Sequence, residues 1–415
     1  MDRHVVLVAP HFLSNTLRYV RAFTDLSGVE TSIISESPES ALPTSIRERL
    51  AGHYRVPSCL DARQLTGALK VITRAIGPVD RLVGTLEQLQ MPLAGARDAL
   101  DIPGMRTEAA RNFRDKDRMK EVLRKAGVPV ARSVLAETEA ELRSAVERLG
   151  LAVIVKPQAG LGARATRRVE KREDLDALIA AGEGPHPGAP VQIEEFVRAR
   201  EHTCETVSVL GAPRWRSGTR YFPSPLEVLE NPWMQYCVLL PREQEDPTFA
   251  AFHPMAQAAL DALGAGPSSG WSGITHMEWF LKDDGSMLVS EVGARPPGVQ
   301  IMPLMSIAHD VDMIAAWAGL VALDSFEPPA RKRAAGAAFL RGQGSGSRIV
   351  AIHGVRQARE QVGDALVELS LPELGTRRAE SYEGEGHAIV QHATTEGAKD
   401  ALKAIVSNIR LELGN

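Results

Sequence analysis

The stretch THMEWFLKDDGSMLVSEVGARPPG, Thr275 to Gly298, sets two glutamates where a hairpin would force them together. Asp284-Gly285 is a two-residue hairpin signal, and the residues on either side alternate as half-buried strands do. With those two residues as the loop, Phe280 faces Val289 and Glu278 faces Glu291. Like charges directly opposite each other destabilise a sheet, so something must neutralise them. One answer is a divalent cation, because carboxylates are hard oxygen ligands suited to Mg²⁺. The other is two side chains fanning into water. If a metal is the answer, a neutral amide at position 291 is expected to relieve the repulsion when the site is empty.

Other candidates lie upstream. In LAVIVKPQAGLGARATRRVE, Lys156 ends an apolar strand beside a glycine loop, and Pro157 stops the strand there. Gly160 to Ala165 formally spells G-x-G-x-x-A, but a dinucleotide fingerprint needs a helix at once after the loop. Here ATRRVE alternates like a returning strand, so the segment reads as a hairpin flap. Such a flap can hold phosphate through its backbone N–H groups, with Gly160 and Gly162 giving it freedom. No P-loop motif occurs anywhere in the chain. VQIEEFV then reads as a strand with Glu194 and Glu195 at its end, and Glu201 follows. Lys116 opens a helix capped by Asp115, where the macrodipole disfavours a cation; most such lysines reach into solvent. Met119, Val122, Leu123 and Ala126 form that helix's apolar face, and Gly127 ends it.

These residues need a frame. The 415 residues suffice for two or three domains, and 44% hydrophobic with 24% charged residues is ordinary for a soluble globular protein. A net charge of -4 gives no footprint for nucleic acid. Cys59, Cys204 and Cys237 are scattered without metal or redox spacing, which suggests a reducing cytoplasm. The run VVLVAP near the start is too short for a signal peptide and reads as a buried strand. MIAAWAGLVAL, the longest apolar run, falls well short of a membrane span. The first hundred residues alternate strand and helix, a small α/β domain. DIPGMRTEAARNFRDK and DSFEPPARKRAAG mark the next boundaries. Beyond the second, AAGAAFLRGQGSGSRIVAIHG reads as a hairpin with a glycine-rich turn, and HAIVQHATTEGAKDALKAIVSNIRLEL as a strand and closing helix. Tyr221 to Glu243 should contribute pocket wall, with Trp233, Trp271 and Trp279 as candidates.

The order of the motifs is more specific than any one of them: DK opening a helix, VIVKP, a glycine hairpin, EEFV, Glu201, HMEWF and SEVGARPPG. In this order the chain resembles the ATP-grasp superfamily, in particular its carboxylate–amine ligases of the L-amino-acid ligase branch. The resemblance implies an α/β (α+β) architecture: a Rossmann-like α/β domain over 1–105, an ATP-grasp domain over 106–330 with a glycine-rich lid at about 131–196, and a C-terminal α+β module over 331–415. It implies that Lys116 and Lys156 contact ATP phosphates, with Lys156 also near adenine. Glu194, Glu195 and Val197 would read the base and Glu201 the ribose. Glu278 and Glu291 would hold Mg²⁺, for which Mn²⁺ is an alternative. Arg295 would bind the substrate carboxylate or its acyl phosphate, and His276, on the face of Glu278, would reach the substrate or simply pack. Many members carry a metal-binding asparagine two residues after the second glutamate, where this chain has Gly293.

The reaction implied joins a small-molecule carboxylate and an amine in the cytoplasm, with neither nucleic acid nor membrane, and leaves a homodimer open. A biotin-carboxylase-like or purine-pathway ligase, and a nucleotide-binding regulator without turnover, are the alternatives. An NAD oxidoreductase is a remote third.

Overall fold

The computed structural model describes residues 2–158, 166–231, 233–243 and 247–415. The opening rhythm builds four parallel strands, β1 (Arg3–Val8), β2 (Val29–Ser35), β3 (Gly52–Arg55) and β4 (Arg81–Gly84), in the order β3-β2-β1-β4. Val5 to Val8 are wholly covered, as strands of a parallel sheet must be. The chain winds outward from β1 through β2 to β3, then crosses back to lay β4 on the other side of β1. The topological switch therefore lies between β1 and β4, where such sheets open a ligand crevice.

Four further strands, β5 (Ser133–Ala136), β6 (Val153–Pro157), β7 (Arg167–Val169) and β8 (Val191–Glu195), form a separate sheet ordered β5-β8-β6-β7. Leu142, Val146 and Leu149 of one helix and Leu175 and Leu178 of another share its core. Strands β6 and β7 pair antiparallel on either side of the glycine segment, as the alternation of ATRRVE requires. Gly160 and Gly162 lie outside the described residues.

There follow β9 (Arg200–Val209), β10 (Ala212–Phe222), β11 (Tyr236–Leu240), β12 (Gly273–Leu281), β13 (Met287–Gly293), β14 (Ala334–Leu340), β15 (Arg348–His353), β16 (Leu366–Ser370), β17 (Gly386–His392) and β18 (Arg410–Gly414). Eight of them make one sheet, β13-β12-β9-β10-β11-β14-β17-β16. The expected hairpin across residues 334–353 does not form. Instead β14 lies between β11 and β17, while β15 pairs with β18. Burial explains the separation. All of β14, AAGAAFL, is covered, whereas β15 carries exposed residues at Arg348, Val350 and His353. The small residues of β14 let the helix Thr395–Asn408 lie close; a Cβ on Gly336 would come within 2.7 Å of Leu402. The terminal RLEL, read with the closing helix, is strand β18.

The hairpin of β12 and β13 keeps its central pair by a different route. Lys282 donates its N–H to Ser286 O and Gly285 donates to Lys282 O, so the loop holds three residues rather than two. Gly285 takes φ +82°, the left-handed position such a loop requires. The longer loop shifts the register by one: Phe280 faces Leu288, and Trp279 faces Val289. A bulge at Ser290 then adds one residue to β13, and Glu278 faces Glu291 after all. At the bulge, Val289 donates its N–H to Pro129 O at 2.9 Å, so a segment outside the hairpin caps the irregularity.

The helix Met313–Leu323 carries the longest apolar run into the core, where Trp317 meets Tyr19 and Phe23 edge-on. Among the described residues no single helix is long and apolar enough to cross a membrane. Just past this helix, Asp324 accepts from Arg3 at 3.0 Å and Arg81 at 2.7 Å, tying β1 and β4 to the end of that helix. Beside Glu278, Trp279 is fully buried and stacks on Phe252 at 4.1 Å and on His202 at 4.8 Å. Truncation of Trp279 to alanine is expected to cost about 3–5 kcal/mol, read as a fall in the denaturant midpoint. A wild-type midpoint would show that the stack does not hold β12.

Candidate active site

Between the β5–β8 sheet and the face of β9, β12 and β13 lies a cleft of about 450 Å³. Lys116, Lys156, Glu194, Glu195, Val197, Glu201, His276, Glu278, Glu291 and Arg295 all line it. Strand alternation explains much of this. Cross-strand register sets Glu201 opposite Phe280, Thr203 opposite Glu278 and Glu205 opposite His276, so one face of β9 and β12 carries the polar set.

Lys116 does not reach into solvent. Asp115 caps its helix by accepting the Arg118 N–H at 3.1 Å, and the Lys116 ammonium, itself buried, donates to Glu291. The expectation that Glu278 and Glu291 stand uncompensated without a metal is therefore corrected. Burial alone would raise the Glu291 carboxyl, but Lys116 and Lys156 outweigh it and hold it down at about 2. On the same helix face, one turn on, Lys120 is fully buried, while Ala126, assigned to the apolar face, is exposed. Lys120 and Lys156 flank Glu194 at 3.3 and 3.0 Å. Burial pushes the Lys120 ammonium down against the pull of Glu194. For Lys156, Glu194 and Glu291 overcome burial and the net shift is upward. Glu194, for its part, is held below the usual carboxylate range by the two lysines, against burial.

Near the mouth, Glu195 takes both the backbone N–H and the Nε of Arg132, at 2.9 and 2.6 Å. Glu201 is pushed well above the usual carboxylate range by burial, reinforced by Glu278. His276 meets Glu205 through Nδ1 at 2.8 Å and lies 3.7 Å from Glu278 through Nε2. Burial would lower the imidazole, but the two carboxylates raise it to about 9. Arg295 gives its Nε and Nη2 to Glu87, which also lines the cleft.

Of the tryptophans proposed for the wall, Trp279 is in the core, Trp271 folds over Gly273 and Trp233 is exposed; none lines the cleft. The aromatic wall is Tyr221, Phe196, Phe280 and Tyr382. Lys120, Glu205, Glu87 and Tyr382 escaped the sequence reading. Lys120 was findable from its four-residue spacing to Lys116, and Glu205 from its four-residue spacing to Glu201 on a strand.

The carboxylates suit a cation of one kind. Among the described residues no group of three or more His, Cys, Asp or Glu forms a ready metal cage. Glu278 and Glu291 offer two carboxylates, and Gly293 offers nothing; a Cβ there would meet Arg295 Cγ at an ordinary 3.7 Å. Mg²⁺ is commonly held by one or two carboxylates and completes its octahedron with phosphate oxygens and water. The residues fit it.

Residues 121–299 match the ATP-grasp domain family. The L-arginine-specific L-amino acid ligase of Bacillus subtilis is 24% identical over 242 residues, 57% of this chain and 56% of that protein. The D-alanine–D-alanine ligase of Arthrobacter sp. (strain FB24) is 26% identical over 293 residues, 65% of this chain and 71% of that protein. The chain thus spans only a little over half the length of the first of these relatives. The crystal structure of L-amino acid ligase from Bacillus licheniformis superposes with a TM-score of 0.76 at 17% identity, covering 100% of this chain and 99% of that one. At that identity the likeness is one of fold.

The Lys116–Glu291 pair sets a pH dependence. Glu291 lies near 2 when folded, below its usual 4.5, so its contribution is complete above pH 4.5 and disappears as the pH falls toward 2. Glu291→Gln is therefore expected to lower stability at pH 7 by roughly 2 kcal/mol, leaving Lys116 buried without its partner. The gap to wild type should narrow steadily in melts taken from pH 4.5 down toward pH 2. An amide variant as stable as wild type at pH 7 would restore the expectation of relieved repulsion.

Proposed function

We propose that this chain, which carries an ATP-grasp domain, is an ATP-dependent carboxylate–amine ligase that joins amino acids through an acyl phosphate. One observation carries the reading. Lysines from the 116–125 helix and the β5–β8 sheet, two opposed carboxylates from the β12–β13 hairpin, and a guanidinium meet in a single cleft.

A carboxylate is a poor acyl donor because its anion repels nucleophiles and its oxide is a poor leaving group. In the first step a substrate carboxylate oxygen attacks the γ-phosphorus of ATP, the bond to the bridging oxygen breaks and ADP departs. In the second, the amine nitrogen attacks the acyl carbon, the bond to phosphate breaks, and inorganic phosphate and an amide result; the amine's proton leaves to solvent or phosphate. Phosphoryl transfer asks for positioning and charge neutralisation above all. Glu194, Glu195 and Val197 border the adenine, and Glu201 takes the ribose hydroxyls. Lys116 and Lys156 exchange their carboxylate partners for phosphate oxygens. Glu278 and Glu291 would hold Mg²⁺, or Mn²⁺, which supplies charge neutralisation on the phosphates. Arg295 holds the carboxylate that becomes the acyl phosphate, and His276, kept cationic by Glu205, adds positive charge near it.

Cys59, Cys204 and Cys237 are free thiols, which supports a reducing cytoplasm as the working compartment. A nucleotide-binding regulator is the second reading, motivated by Gly293, where no side chain adds to the metal site.

An assay of ADP release against a panel of amino acids separates the two. Turnover is expected only when ATP, Mg²⁺, a carboxylate and an amine are all present, and nucleotide binding without turnover would favour the regulator. Lys156→Ala should slow turnover on the order of 100-fold and weaken ATP. Arg295→Lys should also slow it, since an ammonium cannot reproduce the planar fork. Wild-type kinetics in either variant would remove that residue from the site.

A further inference from the structure

Arg295 is gripped by a residue that none of the motifs contains. Its Nε and Nη2 both donate to Oε2 of Glu87, at 3.1 and 2.9 Å, across 208 positions of sequence. Its Nη1 donates to Pro296 O at 3.0 Å. The second oxygen of Glu87 lies 3.4 Å from Nη1 of Arg114, and Glu87 is itself buried. Glu87 follows β4 by three residues, at the switch point between β1 and β4.

A guanidinium carries five N–H donors and can grip a carboxylate by its Nε/Nη2 edge or by its Nη1/Nη2 edge. Glu87 fills the first edge and Pro296 takes one hydrogen of Nη1. One hydrogen on Nη1 and one on Nη2 are left for a ligand. Glu87 is poorly suited to receive a substrate ammonium, because both its oxygens already face guanidinium groups and two arginines repel a further cation.

We propose that Glu87 is a positioning residue. It fixes Arg295 by one edge, from the N-terminal domain, so that the remaining donors meet the substrate carboxylate at a set angle. The N-terminal domain thereby becomes part of the carboxylate site. The inference rests on the reading that Arg295 binds that carboxylate.

Glu87→Gln removes the charge and keeps the shape. Its crystal structure is expected to show the Arg295 guanidinium displaced or turned. Kinetics with an amino acid as the carboxylate should show its KM raised on the order of 10- to 100-fold, the penalty for a misplaced contact. The KM for ATP and the melting temperature should stay near wild type. Arg295 unmoved in the variant, or an unchanged carboxylate KM, overturns the proposal. So does a joint rise of both KM values with a lower melting temperature, which marks a structural brace. Should the neutral variant fail to fold, Glu87→Asp keeps the charge at the domain boundary while withdrawing it from Arg295, and the same readings apply. If wild-type protein releases no ADP with any amino acid, the ligase reading fails, while the crystal structure still decides whether Glu87 holds Arg295.

Discussion

The structure depends on how charge is kept ionised where water is scarce. Lys116, Lys156, His276, Glu194, Glu278 and Glu291 line one cleft, with Lys120 and Glu205 buried beside it. Isolated in such a place, each would shed or take up a proton instead of paying the cost of desolvation. Each lysine and His276 has an opposite neighbour contributed by a different element, and Glu278 lies 3.7 Å from His276 on its own strand. The 116–125 helix answers β13, that helix and β6 together answer β8, and β9 answers β12. Buried pairs of this kind add little net stability over apolar packing, yet losing one partner strands the other. The network therefore specifies how the β5–β8 sheet must sit over the eight-stranded sheet.

In the proposed reaction the same pairs would prepare the site for an anion. A polyphosphate brings several negative charges and can take the lysines from their carboxylates without leaving them bare. Carboxylates released in that exchange become free to bind a cation.

What the sequence made legible was local. The strands at the start, the 116–125 helix with its Asp115 cap and the antiparallel pairing of β6 with β7 follow from spacing, capping and alternation, while Glu278 faces Glu291 through a bulge that the alternation did not show. Two features escaped because their cause is distant. The separation of β14 from β15 turns on which strand the helix Thr395–Asn408 covers, and nothing in AAGAAFLRGQGSGSRIVAIHG itself decides that. The grip of Glu87 on Arg295 joins segments 208 positions apart and leaves no pattern in either of them. The tryptophans misled for a related reason. A large aromatic ring is equally at home in a core or a pocket, and Trp279 went to the core because Phe252 and His202 offered it faces.

The β12–β13 hairpin carries a three-residue loop and, farther along, the bulge at Ser290. Each takes up one residue that the simplest hairpin would place in a ladder pair, and together they return Glu291 to the place opposite Glu278. Either alone would turn residues 291–293 to the wrong face of the sheet. An ancestor could not have acquired one and waited for the other without losing the carboxylate pair. The two irregularities form an epistatic couple, harmful singly and neutral jointly. A homologue one residue shorter here keeps the two glutamates opposed only by giving up one of the two irregularities and retaining the other.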